Sequence, residues 1–273
     1  MTLKEVEKLA ENGDVKAMMA LADYYSKLED ENGDEVAFKY YELAANAGEP
    51  NALIKMVQTS SQTADAVMSM IDSGGKIPSM DEPIEKAYRW ALKLKYVVSK
   101  MGVSDKNTLE FVDDKLLKAL SRLATLYYFD KKYTELIDVT QNIDAPYAQA
   151  VHGLAIYQIA ETGSDLTKAF HCLKNIENSA CWKKEYQTKY GQILLVEAAM
   201  FLSGLYRAIN NDVDSAYRAM SLILDYSVNE SMRENVKEDI AAISKRRCSA
   251  AIHILNEHNE KTAVRRFFVM HGV

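Results

Sequence analysis

One helical phrase recurs along this chain, and it constrains the fold more than any other feature of the sequence. The phrase is A-x-x-x-L-A-x-x-Y, in which small residues let helices approach closely while Leu and Tyr fill the space between them. Self-similarity of this kind indicates an array of helical repeats. Three copies carry the tyrosine, the last with Ser as its second small residue: Ala17/Leu21/Ala22/Tyr25, Ala119/Leu123/Ala124/Tyr127 and Ala198/Leu202/Ser203/Tyr206. A fourth copy is Ala150/Leu154/Ala155, with Gln158 in place of the tyrosine.

A second phrase, small-x-x-x-large-x-x-apolar, marks the partner helix of each pair. Its clearest copies are Ala37/Tyr41/Ala44, Ala169/Leu173/Ile176 and Ala216/Met220/Ile223. Together the two phrases predict an all-α chain, an α/α superhelical solenoid of about five antiparallel helix pairs. We expect the first helices of these pairs to begin near residues 14, 50, 113, 145 and 185. Inserted segments at 73–83 and 102–108 account for the longer intervals between repeats.

Local signals set several helix boundaries. Thr2 and Glu5 form a capping-box pattern at the start of the chain, and Gly13 and Gly48 are placed to end helices. The junction at 9–17 matches the one at 43–52, so the first helix is interpreted as the second half of a truncated repeat. Adjacent acids at 113–114 are expected in the first turn of a helix, where they favour the positive end of the dipole.

Composition narrows the class of protein. The chain has 273 residues, 48% of them hydrophobic, with only four Pro and eleven Gly, and a net charge of −6. The negative charge disfavours bulk binding to nucleic acid or to an anionic membrane. The first residues form no apolar signal core, and no stretch is expected to span a membrane. Three cysteines without a spaced framework suit a reducing compartment, so we predict a cytoplasmic protein.

The charge is distributed unevenly, which separates the end of the chain from the rest. Residues 229–273 hold eight basic and six acidic residues, including K-R-R at 245–247 and R-R-F-F at 265–268. We predict a helical repeat array over 1–226 and a C-terminal helical cap over 227–273, because terminal repeats often depart from the consensus. The basic, aromatic tail also suits nucleic acid or acidic peptides. A capping helix docked on the last repeat is the favoured interpretation.

The segments G-D-V-K-A-M-M-A-L-A-D-Y-Y and E-V-A-F-K-Y-Y-E-L-A-A-N-A-G carry a resemblance to a known family. They resemble Sel1-like repeats, relatives of the tetratricopeptide repeat (TPR-like). The resemblance implies an α/α solenoid that acts as an adaptor or scaffold without catalysis of its own. The second first-helix departs from the pattern, because Ala52, Met56, Val57 and Ser60 replace its signature residues. The regularity of the superhelix is therefore open between residues 50 and 110.

No residue cluster in the sequence indicates a catalytic site or a cofactor site. His253 and His258 are five residues apart, about 140° around a helix, and His171 and Cys172 are adjacent, so neither pair suits a shared metal. The G-G-K at 74–76 lacks the glycine and hydroxyl residue of a phosphate loop. We therefore predict a protein that is not an enzyme and has no metal and no cofactor.

The resemblance also implies a binding face, because the first helices of such arrays line a concave groove. The groove positions lie one before and two, six and nine after the phrase alanine. They are 16, 19, 23 and 26 in the first pair, 118, 121, 125 and 128 in the third, 149, 152, 156 and 159 in the fourth, and 197, 200, 204 and 207 in the fifth. Tyr128 follows the packing residue Tyr127, so it is predicted to turn about 100° away from the core contact. The predicted partner-binding residues are Met19, Asp23, Tyr128, His152, Ile156, Met200 and Arg207.

The function predicted from these observations is binding of another protein or peptide on the concave face of the array. The alternative is a regulatory receptor that senses a short peptide and controls a partner protein or a promoter. A DNA-reading version needs a helix-turn-helix before the repeats, and only twelve residues precede the first full pair. An enzyme built on a helical array is the third hypothesis.

Overall fold

The computed structural model describes residues 2–28, 31–73, 81–183, 188–210 and 212–226, and within these ranges the secondary structure is helical, without strands. The prediction of an all-α chain is therefore confirmed for this part of the protein. The predicted cap over 227–273 lies outside the described residues. Eleven α-helices are present in these ranges, namely α1 Leu3–Glu11, α2 Val15–Tyr25, α3 Glu31–Asn46, α4 Pro50–Asp72, α5 Asp81–Lys100, α6 Lys106–Phe129, α7 Tyr133–Thr140, α8 Pro146–Ile159, α9 Gly163–Leu173, α10 Lys189–Asn210 and α11 Val213–Tyr226.

Local capping explains several of these boundaries. Thr2 and Glu5 form the predicted capping box before α1. Gly13 and Gly48 follow α1 and α3 with φ of 90°, a left-handed conformation that glycine adopts without a steric penalty. Pro50 occupies the first turn of α4, where its missing N–H costs no helical hydrogen bond.

Helix α6, the first helix of the third predicted pair, begins earlier than the sequence predicted. The side chain of Asp105 accepts hydrogen bonds from the backbone N–H of Thr108 at 2.8 Å and from its hydroxyl at 2.7 Å, so α6 begins at Lys106 rather than near 113. The acids at 113–114 therefore lie inside the helix and not in its first turn. Asp113 instead pairs with Lys95 of α5 at 2.5 Å.

The chain divides into two compact units, Met1–Ala119 and Leu120–Val273, and the boundary falls within the residues of α6. In unit 1, each helix from α1 to α4 packs against the one that follows it. In unit 2, α7 packs on α8, α8 on α9 and α10 on α11, while α10 also packs on α8 and α9. These consecutive helices of the described ranges therefore pack as adjacent pairs.

The phrase residues form the cores of both units. All the phrase alanines and leucines are buried, and Leu21, Leu123, Leu154 and Leu202 expose 1% or less of their surface. The irregular helix α4 follows the same register, because its substituted positions are buried as well: Ala52, Met56, Val57 and Ser60. The hydroxyl of Ser60 donates to the carbonyl of Met56 at 2.5 Å, which satisfies the one polar group in that set.

One helix contradicts the expectation that no stretch could span a membrane. Among the described helices, Tyr190–Ile209 is long and apolar enough to do so, but 72% of it is buried inside the fold. A core helix of a globular unit reaches the same length and apolarity, because a helix surrounded by protein is apolar on all sides. Its burial identifies it as a packing element of unit 2.

Candidate functional site

Two of the three phrase tyrosines, one in each unit, make the same kind of hydrogen bond. The hydroxyl of Tyr25 on α2 donates to Glu7 of α1 at 3.1 Å, and that of Tyr206 on α10 donates to Glu177 at 2.8 Å. Glu177 lies in a short 3-10 helix directly after α9. In both cases the tyrosine bonds to a carboxylate on the helical segment that precedes its own helix. We call each such bond a tyrosine clamp.

The clamps link α2 to α1 and α10 to the 3-10 segment that follows α9. This is the arrangement expected if α1 is the second half of a truncated repeat. Aromatic packing accompanies each clamp: Tyr25 stacks on Tyr40 with ring centroids 6.2 Å apart, and Tyr206 meets Phe170 edge-on at 5.0 Å. The tyrosines therefore act as packing residues with a polar tip that finds a partner.

A second polar cluster lies where α6, α8 and α10 provide side chains to the interior of unit 2. Gln158 Nε2 donates to the hydroxyl of Tyr128 at 2.7 Å, and that hydroxyl donates to the carboxylate of Glu197. The ring of Tyr133 on α7 meets Tyr128 with centroids 5.6 Å apart. Tyr128 is buried, whereas Gln158 and Glu197 are half-buried; we call these three residues the polar triad.

Burial governs the protonation of the triad. Desolvation raises the pKa of Glu197 above its ordinary value, and the hydrogen bond from Tyr128 opposes this only in part. Desolvation and the nearby carboxylate raise the pKa of Tyr128, so its hydroxyl keeps its proton and remains a donor. The triad is thus a satisfied hydrogen-bond chain that ties three helices together.

The triad corrects the prediction made for Tyr128. Tyr127 and Tyr128 expose 9% and 6% of their surface, so both are buried although they point about 100° apart around the helix. The physical reason is that α6 is enclosed on nearly all sides between residues 119 and 128, where only Leu126 is less than fully buried. A tyrosine enclosed in this way cannot anchor an external partner unless unit 2 opens.

Two further predicted contact residues are also buried. Met200 and Arg207 on α10 expose 3% and 2% of their surface. The same holds at groove positions 121, 125 and 204, which are buried too. In unit 2 the face predicted to be a groove is therefore covered by the chain itself along α6 and α10.

The predicted groove residues on α8 are less buried than Tyr128, Met200 and Arg207. His152 and Ile156 are half-buried. The Nδ1 of His152 lies 2.9 Å from the hydroxyl of Thr140, and its ring also bonds to the backbone of Ile137 on α7. Burial lowers the pKa of His152, so the ring favours the neutral form that fits this site.

In unit 1 the predicted face remains accessible. Met19 is half-buried on α2, and Asp23 is exposed. The carboxylate of Asp23 accepts a hydrogen bond from the hydroxyl of Tyr41 on α3 at 2.6 Å, which fixes its orientation. Lys16 and Ser26, the other groove positions of this helix, are exposed as well. Unit 1 therefore carries an accessible face on α2, and unit 2 carries the polar triad.

Gln158 is a functional candidate that the sequence analysis did not place on the groove, whereas Glu197 was a groove position but not one of the predicted partner-binding residues. Gln158 stands where the fourth phrase loses its tyrosine, and Glu197 stands one residue before the phrase alanine of α10. The Gln at the phrase position of Tyr was the sequence signal for Gln158, because an amide at an interior position needs a polar partner. Its partner, Tyr128, lies 30 residues away in the sequence.

The described residues contain no group of three or more His, Cys, Asp or Glu placed to hold a metal ion. Within the same ranges, burial raises the pKa of the Cys181 thiol to about 12, which keeps it protonated and unreactive. Comparison with family models, with curated proteins and with solved structures finds no match for this chain.

Proposed function

We propose that this protein is a non-catalytic, cytoplasmic adaptor or scaffold whose Sel1-like helical repeats form a solenoid that binds another protein or peptide. The observation that carries the proposal is the tyrosine clamp, in which Tyr25 and Tyr206 each bond to a carboxylate on the helical segment before their own helix. A contact repeated with its sequence phrase is what a repeat array requires, because each unit buries its apolar face on the next.

The accessible α2 face of unit 1 is the docking surface that we propose. It combines the apolar, adaptable side chain of Met19 with the oriented carboxylate of Asp23. Thioether side chains adapt to varied apolar partners, and a carboxylate recognises N–H donors or a basic side chain. The buried Tyr128, Met200 and Arg207 have structural roles in this proposal rather than contacts to the partner.

Site-specific photocrosslinking tests the proposal. A crosslinking amino acid at the exposed position Lys16 should capture a partner that the same group at the exposed position Thr167 of α9 does not. With that partner purified, Met19→Ala combined with Asp23→Asn should weaken binding by more than about 1 kcal/mol, as truncation of interface anchors does.

Two results would overturn the proposal. One is normal binding by the α2 variant together with lost binding when Arg265→Glu and Arg266→Glu are combined, which would make the basic tail the docking site. Arg265 and Arg266 lie outside the described residues. The other is reproducible turnover that a single polar substitution abolishes without unfolding the protein.

A further inference from the structure

Helix α5 of unit 1 carries a basic, aromatic face that the proposed α2 docking surface does not use. Residues 86–100 contain four Lys and one Arg and no acidic residue, in a chain whose net charge is −6. The opposite face of the helix is its core side, where Ala87, Ala91, Leu94 and Val98 are buried. Asp81, Glu82 and Glu85 occupy the first turns of α5, so the basic charge is confined to the solvent side of residues 86–100.

The spacing of the outward residues makes them one stripe. Residues three, four, seven and eleven apart lie on the same face of a helix. Arg89, Leu92, Tyr96 and Lys100 follow these intervals, and we call them the α5 stripe. Tyr96 exposes 61% of its surface and Leu92 exposes 43%, so two large apolar side chains stand in solvent between two cations.

The neighbouring cations are engaged within the unit and border the stripe on its α3 side. Lys86 pairs with Glu42 at 3.0 Å, and Lys93 donates to the side chain of Asn46 at 2.9 Å. In contrast, Lys100 lies over the ring of Tyr96, 5.4 Å from its centroid, which holds the cation beside the exposed aromatic face. The contacts of Lys86 and Lys93 with α3 therefore do not neutralise the charges of Arg89 and Lys100 on the stripe.

We infer that the α5 stripe is a docking surface for an acidic, amphipathic segment of another protein. Charge complementarity selects the acidic groups, because Arg89 and Lys100 offer cations at both ends of the stripe. The exposed Leu92 and Tyr96 select apolar side chains between those groups, since large apolar and aromatic residues supply most of the binding energy at interfaces. A nucleic acid lacks aliphatic side chains that could pack against Leu92, so an amphipathic peptide fits the α5 stripe better.

The probe that tests this inference is a labelled synthetic peptide of about 16 residues with Glu and Asp at polar helix positions and Leu and Phe on the apolar face. Binding to the full chain is measured by fluorescence anisotropy and should weaken as salt is added. Arg89→Glu combined with Lys100→Glu should lower the affinity at least about tenfold, and Tyr96→Ala should lower it with no change in charge.

The matched control is Lys27→Glu combined with Lys39→Glu, which makes the same change in net charge at two exposed positions of unit 1. This variant and the α2 variant, Met19→Ala with Asp23→Asn, should bind the peptide as the wild type does. The α2 result keeps the test separate from that of the proposed function. Circular dichroism should show unchanged helicity in all variants.

The inference is overturned if the control variant loses as much affinity as the stripe variant, because attraction would then depend on net charge alone. It is also overturned if the stripe variant binds normally, or if a single-stranded oligonucleotide binds the stripe more tightly than the peptide. Sedimentation would expose the remaining alternative: self-association of the wild type, abolished by Arg89→Glu with Lys100→Glu, would make a second copy the partner.

Discussion

At the residue scale, two half-buried titratable side chains of unit 2 have shifted pKa values. Glu197 and His152 lie on α10 and α8, and burial is the largest cause of the pKa shift of each. The two shifts favour the neutral form of each group, since burial penalises charge. They therefore predict opposite effects of pH on stability.

Glu197 should make the wild type less stable as the pH rises from its ordinary pKa of 4.5 toward its raised pKa in the folded state. In that window the unfolded chain releases the proton and the folded chain keeps it, so the free energy of unfolding falls with increasing pH. Glu197→Gln should remove this component while its amide oxygen still accepts from Tyr128. Urea unfolding across this pH range measures the effect, and Glu161→Gln at an exposed position is the control. An unchanged pH profile in Glu197→Gln would contradict the prediction.

His152 should have the opposite effect on the pH dependence of stability. Its lowered pKa means that the folded chain binds fewer protons than the unfolded chain below the ordinary value of 6.5. Stability should therefore fall as the pH drops through 6.5 toward the pKa of the folded state. His152→Gln should flatten this part of the profile, whereas His171→Gln at an exposed position should leave it as in the wild type. The prediction is wrong if both variants behave alike.

At the element scale, the helix pairs depend on small residues at their contacts. A Cβ atom added to Gly153 on α8 would lie 2.7 Å from Cβ of Cys172 and 2.7 Å from the backbone nitrogen of Leu173. Backbone cannot move aside as a flexible side chain can. The pair α8 and α9 is therefore in direct backbone contact at this glycine.

Gly153→Ala should destabilise the protein although alanine is the better helix former. Overpacking costs about 1–3 kcal/mol, which outweighs the gain of about 1 kcal/mol from helix propensity. Chemical denaturation measures the difference. Ser164→Ala, at an exposed position of α9, should change stability by less than about 0.5 kcal/mol. A more stable Gly153→Ala variant would mean that the two helices can separate at no cost.

The sequence predicted the buried phrase residues of these helices better than it predicted which segments pack over the helices. The phrase residues Leu123 and Leu202 are buried as expected, because helical periodicity is a local property. The covering of Tyr128 and Met200 is a tertiary property, since it depends on which segments lie against α6 and α10. The bond between Tyr128 and Glu197 joins positions 69 residues apart, and no local pattern encodes that distance.

At the scale of the whole molecule, the protein consists of two compact units, each with its own buried leucines. Leu53 in unit 1 and Leu202 in unit 2 are fully enclosed, with 0% exposure. A compact unit with a separate core can open without its neighbour, so local stability is a property of each unit. The proposed docking surfaces, on α2 and α5, belong to unit 1.

Leu53→Ala and Leu202→Ala should therefore affect different parts of the chain. Each truncation of a buried leucine costs about 2–5 kcal/mol, and each 1.4 kcal/mol lost raises the rate of exchange through global opening of that unit about tenfold. Native-state hydrogen exchange followed by mass spectrometry should show faster exchange in α2–α5 for Leu53→Ala and in α7–α11 for Leu202→Ala. Helix α6, whose residues belong to both units, should respond at its N-terminal part to the first substitution and at its C-terminal part to the second. Equal acceleration of all helices by either variant would show instead that the described helices unfold as one cooperative body.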